Sequence, residues 1–169
     1  MDIELFKDIP LSSEAYRRYF QQLIDHLREK HKFTGAKVGQ PQNWYSFSSG
    51  MSGILYSAVF AQSQRVRVEL YVDQGDMEKN KSLFDWLQST KNPIEKEYGE
   101  ELVWERLDEK RASRISIYRK GSIEMDDKEL KEIQSWQIAH LLKFKKVFTP
   151  WLKKYNETGK DAKEQEHNN

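Results

Sequence analysis

The chain has 169 residues, with 28 Lys and Arg against 27 Asp and Glu and a formal charge of +1, which excludes a wholly basic nucleic-acid coat protein. A chain of this length can bury roughly 70% of its extended surface in one core. Five Trp, eight Tyr and eight Phe set it apart from disordered compositions, and the absence of Cys removes disulfides, thiolate catalysis, Fe–S clusters and Cys-based zinc sites.

The opening MDIELFKDIP lacks the basic flank and apolar run of a signal peptide, and no stretch approaches the ~20 apolar residues of a membrane span. The expectation is a cytoplasmic protein with one domain over residues 1–155. Residues 156–169, rich in Lys, Glu and Asn, are expected to form a disordered polar tail. Ser12 or Ser13 is placed to cap a helix running to about Lys32, since Ala15, Tyr19, Leu23, Ile24 and Leu27 recur at three- and four-residue steps. Gly35, Gly39 and Pro41 mark a loop. Strands follow at Trp44–Ser49, Ile54–Gln62 and Arg65–Val72, and Gly50-Met51-Ser52-Gly53 between the first two reads as a turn rather than a nucleophile elbow. In the third strand Val66, Val68, Leu70 and Val72 alternate with Arg65, Arg67, Glu69 and Tyr71, the period of a sheet with one buried face.

After Gly75 the helical spacing of Leu83, Phe84, Leu87, Ile94 and Tyr98 predicts a helix ended by Gly99 and broken or kinked near Asn92 by Pro93. Strands at Leu102–Leu107 and Ala112–Lys120 come next. Asp126 or Asp127 then caps a helix continuing to about Tyr155, with Pro150 bending its last turns. The order α-βββ-α-ββ-α gives an α+β fold, an antiparallel sheet of about five strands with helices on one face. Glu69-Leu70-Tyr71 can be laid over Ser116-Ile117-Tyr118 as a weak internal repeat.

The alternation places Arg65, Arg67, Glu69 and Tyr71 on the outward face of the sheet with Arg114, Ser116 and Tyr118, joined by Trp104 or Glu105 according to which way that strand faces. Cations interleaved with aromatic rings suit nucleic acid, the cations neutralising phosphates and the rings stacking on bases. The same pattern also serves a plain wet face with Arg–Glu cross-strand pairs. Lys110 and Arg111 sit at the tip of the last hairpin, where a basic ribbon could enter a groove. In the last helix Trp136, Ile138 and Leu142 lie off the main apolar stripe, to be covered by the first helix or by a partner or second copy.

Catalytic signatures are missing: there is no Walker loop, dinucleotide fingerprint, G-x-S-x-G or H-E-x-x-H. The four His share no metal-ligand spacing, and His26 and His31, five apart on a helix, should diverge. No cofactor or metal site is implied. A metal-dependent nuclease would draw on Glu69 and Asp73, but Tyr71 stands where an acid-x-Lys core wants Lys. Lys79, Asn80 and Lys81 at a helix start read as an anion site or as a solvated first turn.

Val68-Glu-Leu-Tyr-Val72, Asn80-Lys-Ser-Leu-Phe-Asp85, Ile94-Glu95, Trp104-Glu-Arg-Leu107 and Lys110-Arg-Ala-Ser-Arg-Ile115 resemble, from about Ser13 to Trp151, the bacterial domain-of-unknown-function family 4268. That resemblance implies a small α+β domain that often follows a predicted nuclease-like domain, and brings with it no demonstrated activity. Three expectations result. The first is a non-catalytic module binding DNA or RNA, nuclease-associated in DNA processing, restriction or phage conflict, with Arg65, Arg67, Arg111 and Arg114 on phosphates and Tyr71, Trp104 and Tyr118 for stacking. The second is a protein-interaction or dimerisation module using the last helix. The third is the metal-dependent nuclease. No membrane partner is expected.

Overall fold

A computed structural model describes the backbone of residues 11–167 and the side chains of residues 12–159. The elements run α1 (Leu11–His31), β1 (Trp44–Ser48), β2 (Ile54–Ala61), β3 (Arg65–Val72), α2 (Met77–Ser89), α3 (Lys91–Tyr98), β4 (Val103–Glu105), β5 (Ser113–Lys120) and α4 (Asp127–His167). The signal-peptide reading of residues 1–10 lies outside the described residues. The fold is the expected α+β, a five-stranded antiparallel sheet in the order β1-β2-β3-β5-β4. No helix among the described residues is long and apolar enough to cross a membrane.

The chain divides into two compact units. The first comprises residues 11–48, Ser57–Val68 and Tyr118–Leu142, and the second Ser49–Tyr56, Glu69–Ile117 and residues 143–167. In the first, α1 turns Tyr19, Phe20, Leu23, Ile24 and Leu27 inward, all buried, and Tyr16, Tyr19 and Phe20 close on Phe60 of β2 at 5.5, 4.8 and 6.0 Å between ring centroids. The helix already includes Leu11, so Ser12 and Ser13 lie inside it instead of capping it. α1 also meets the early part of α4, through Gln137 on the main apolar stripe. The Tyr19 hydroxyl donates to Gln137 Oε1, and Gln137 Nε2 donates to the Val59 and Arg67 carbonyls at 3.5 and 3.3 Å. Gln137 falls on the helix's apolar stripe yet is the polar pin of this core, fully buried with both ends bonded. Ile138 is buried, and the Trp136 ring meets that of buried His140 at a tilt, 4.6 Å between centroids.

In the second unit the predicted break between helices occurs at Thr90, which ends α2 and begins α3. Pro93 is then the third residue of α3, in the first turn, where an N–H would have no intrahelical acceptor, so the break comes earlier than Asn92 and costs no hydrogen bond. Gly99 closes α3 in the left-handed region at φ 89°, its N–H donating to the Glu95 carbonyl at 2.8 Å. Tyr98 packs on Phe144 at 5.3 Å, and the Tyr56 hydroxyl bonds the Thr149 hydroxyl at 2.7 Å. The turn before β2 is as read: Gly53 has φ 76°, and a Cβ there would stand 2.7 Å from the Asp73 oxygen and Gln74 Cα.

β4 has three residues where six were expected, because the chain leaves the sheet at Arg106 to bond α2. For α4 the alternatives resolve to Asp126, whose Oδ1 accepts from Glu129 N at 2.9 Å. The helix passes Tyr155 and continues through residues read as a disordered tail, to His167. Lys, Glu, Gln and Ala dominate this stretch and extend an existing helix without a new nucleus.

Candidate nucleic-acid interface

β3 and β5 alternate as predicted: Val66, Val68, Leu70, Val72, Ile115 and Ile117 are buried inward, and Arg67, Tyr71, Arg114 and Tyr118 are half-buried on the other face. The outward residues fall into two groups, one in each unit, with opposite electrostatics.

In the second unit the cations are matched to carboxylates. Register pairs Glu105 with Arg114 and Trp104 with Ile115, so Glu105 takes the outward face and Trp104 the inward one. Arg114 donates from Nε and Nη2 to the Glu105 carboxylate at 2.8 and 3.2 Å and lies 3.9 Å from buried Glu69; the Ser116 hydroxyl donates to Glu105 at 2.9 Å. Trp104 meets Phe84 edge-on at 6.2 Å, and its Nε1 donates to Glu95 at 3.3 Å. The expectation that Trp104 shares a stacking face with Arg114 is therefore corrected. Tyr71 is half-buried, and its hydroxyl is pushed up first by burial and then by Asp73 and Glu69, against the pull of Arg111 and Arg114. Glu69, Asp73 and Glu105 outnumber Arg111 and Arg114 in this group.

The hairpin tip is likewise tied down. Arg111 forms a bidentate pair with Asp73 at 2.9 and 2.7 Å, which holds that carboxyl below its ordinary range. Arg106 forks onto Asp85 at 2.9 and 3.1 Å and reaches Asp108. Beneath them Lys81 is buried, with Nζ donating to the carbonyls of Arg106, Leu107 and Ala112 at 2.5, 2.9 and 2.7 Å and to the Ser113 hydroxyl at 2.9 Å. Asn80, fully buried, accepts from Gln74 N at 2.7 Å and donates to the Arg111 carbonyl at 3.0 Å. Asp76 caps α2 by accepting from Lys79 N at 2.9 Å. Both sequence readings of this helix start, anion site and solvated turn, give way to a structural knot of buried Asn80 and Lys81. The one cue in the sequence was the polar pair on the side of α2 that carries Phe84.

In the first unit the Arg65 guanidinium lies 4.2 Å over the Tyr118 ring and that of Arg67 lies 5.9 Å from it. An open depression of about 630 Å³ beside this stack is lined by Ser63, Gln64, Arg65, Tyr118, Arg119 and Lys120. Ser63 and Gln64 are both left-handed, at φ 61° and 53°, and the Gln64 carbonyl accepts from Gly121 N at 2.9 Å, which fixes the floor. Arg119 Nε donates to the Lys120 carbonyl at 3.2 Å. Among the described residues Arg65, Arg119 and Lys120 form no ion pair. Of the seven candidate residues, Arg65, Arg67 and Tyr118 come together here; Tyr71, Arg111 and Arg114 belong to the charge-paired group, and Trp104 to the inner packing. Arg119 and Lys120 were missed because β5 alternation counts the first as inward and the second as the strand's end.

The profile of the family described as "Domain of unknown function (DUF4268)" matches residues 15–152. The chain belongs to this family. Nothing among curated proteins or solved structures matches it. The DUF4268 match spans both units and all the residues discussed above. For nuclease chemistry the geometry is unhelpful: Glu69 faces Arg114 and Asp73 is gripped by Arg111, and no group of three or more His, Asp or Glu among the described residues is placed to hold a metal. The His26 and His31 rings do approach, to 5.3 Å, where divergence was expected, since His31 closes α1 next to left-handed Lys32.

Proposed function

We propose that this DUF4268 chain is a non-catalytic nucleic-acid-binding module that works through the Tyr118 patch of the first unit. The observation that carries this reading is the Arg65 guanidinium over the half-buried Tyr118 ring, in one depression with Arg119 and Lys120, three cations with no carboxylate partner among the described residues. Unneutralised cations cost little in water and gain most by releasing counterions from a polyphosphate. Arg111, Arg114 and Trp104 drop out of the interface because their polar groups are already bonded within the second unit. A nuclease-associated setting stays with the reading as what the family resemblance implies.

Electrophoretic mobility shifts with DNA and RNA at low and raised salt test it. Binding should weaken steeply with salt, and Arg65→Ala with Lys120→Ala should lower the log–log salt slope by roughly 0.7 to 0.9 for each phosphate no longer neutralised. Absence of salt-sensitive binding to any nucleic acid would sink the proposal.

A second reading, a protein-interaction module, is favoured by one cluster in the second unit. Trp86 meets Trp151 at 6.1 Å and Tyr155 at 5.2 Å, all three half-buried, with Lys154 over Trp151 at 5.2 Å. Light scattering across a concentration series checks the homodimer form of it; a strict monomer removes that form.

A further inference from the structure

We infer that the strand recognised by the Tyr118 patch is single-stranded, an inference that rests on the nucleic-acid reading above and deepens it. The ring sits on a strand of the sheet, in an open depression lined also by Ser63, Gln64, Arg65, Arg119 and Lys120. A duplex keeps its bases stacked inward and offers such a surface only phosphates, which leaves the ring and its guanidinium cap without partners. A single strand presents unstacked bases, whose flat faces match the guanidinium that Arg65 holds 4.2 Å over the Tyr118 ring. Arg67, Arg119 and Lys120 then lie beside the stacked base, where the flanking phosphates run.

The hairpin tip read from the sequence as a ribbon for a duplex groove is withdrawn from that role. The turn between β4 and β5 carries Arg106, Lys110 and Arg111, but Lys81 clamps the carbonyls of 106, 107 and 112, Asp85 holds Arg106, and Asp73 holds Arg111. Groove entry would break two bidentate ion pairs and uncover a buried ammonium. The N-terminus of α2 is capped by Asp76, which repels phosphate there. What is left for binding is a stacking platform with a few cations around it, the arrangement that binds single strands with little sequence preference.

Fluorescence anisotropy on the full chain decides this, using a labelled oligo-dT and an oligo-U of about twelve nucleotides and a duplex of about twelve base pairs, in about 0.1 M salt. The expected result is single-strand affinity about tenfold or more above duplex affinity. Tyr118→Ala should lower the single-strand affinity about tenfold, the scale of a single base–aromatic stack, and leave duplex binding within about twofold. Tyr118→Phe, which keeps the ring and the packing, should bind like the parent. Arg65→Gln, at an exposed side chain, guards against a folding failure of the alanine variant and should weaken single strands severalfold, with circular dichroism confirming the fold. Duplex binding equal to or tighter than single-strand binding, or a silent Tyr118→Ala, overturns the inference while the salt-dependent patch stands. No salt-sensitive binding to any of the probes removes both.

Discussion

Four oxygens surround the Lys81 ammonium, three of them main-chain carbonyls that have left the sheet. Burial and Arg106 push its pKa down, while Asp108 and Asp85 oppose them from outside the knot. Removing the ammonium strands several buried acceptors at about 1–3 kcal/mol each. Lys81→Met should therefore destabilise the chain by about 3 kcal/mol or more in urea unfolding, and a loss under about 1 kcal/mol would mean that the turn finds other donors. Arg111 acts on a neighbour's titration. It holds Asp73 below its ordinary 3.8, so the pair's contribution is present above pH 3.8 and is lost as pH falls through the folded value. Arg111→Ala should lower thermal stability equally at pH 5 and 7, and the gap to the parent should close as pH drops below 3.8. A gap that persists in acid would assign the loss to packing. These partners were not legible from sequence, since Arg111 and Asp73 are 38 positions apart and periodicity places a side chain on a face without saying what stands opposite.

At the scale of elements, local chemistry was legible and its position along the chain less so. The Val66 to Val72 alternation gave β3 its bounds, and Gly99 gave α3 its end. Pro93 announced a break that the chain makes at Thr90, because a proline costs nothing in a first turn and the helix simply restarts ahead of it. Pro150 has no such shelter, lying inside α4 and exposed. Pro150→Ala should stabilise by about 1–3 kcal/mol, recovering the backbone bond and relieving the clash, whereas Pro93→Ala should change stability by under about 1 kcal/mol. Paired denaturation curves check both. The glycines of the β1–β2 turn separate in the same way. Gly50 at φ 87° has open space for a methyl group, so Gly50→Ala should cost about 1–2 kcal/mol of backbone strain. Gly53→Ala should cost clearly more, since its Cβ also strikes the main chain at 73 and 74. Equal costs would show that the turn yields. Burial of Asn80 and Lys81 escaped detection because a polar pair on a helix reads as solvated unless the receiving loop is known.

Over the whole molecule the near-zero net charge conceals a sorting. Guanidiniums of the second unit are matched by Asp73, Asp85, Glu105 and Asp108, while Arg65, Arg119 and Lys120, without acidic partners among the described residues, gather around Tyr118 in the first. α4 places Asp127 and Glu129 in its first turn, which suits the helix dipole, and groups Lys143, Lys145, Lys146, Lys153 and Lys154 along its middle. The helix outlasts the packing: Leu152 is its last buried residue among those described, and 156–159 are exposed. Beyond Tyr155 the turns are held by backbone bonds, by Thr158 Oγ1 donating to the Tyr155 carbonyl at 2.7 Å, and by the propensity of Lys, Glu, Gln and Ala. Propagation from a packed helix avoids the nucleation cost that would leave the same residues uncoiled as a peptide, so composition alone read them as disordered. Ending the chain at Tyr155 should thus reduce the helical circular dichroism signal yet move unfolding stability by under about 0.5 kcal/mol, the usual scale for surface changes. A larger loss of stability would mean that the extension packs against the rest of the chain, and an unchanged helical signal would mean that these turns are not formed in solution.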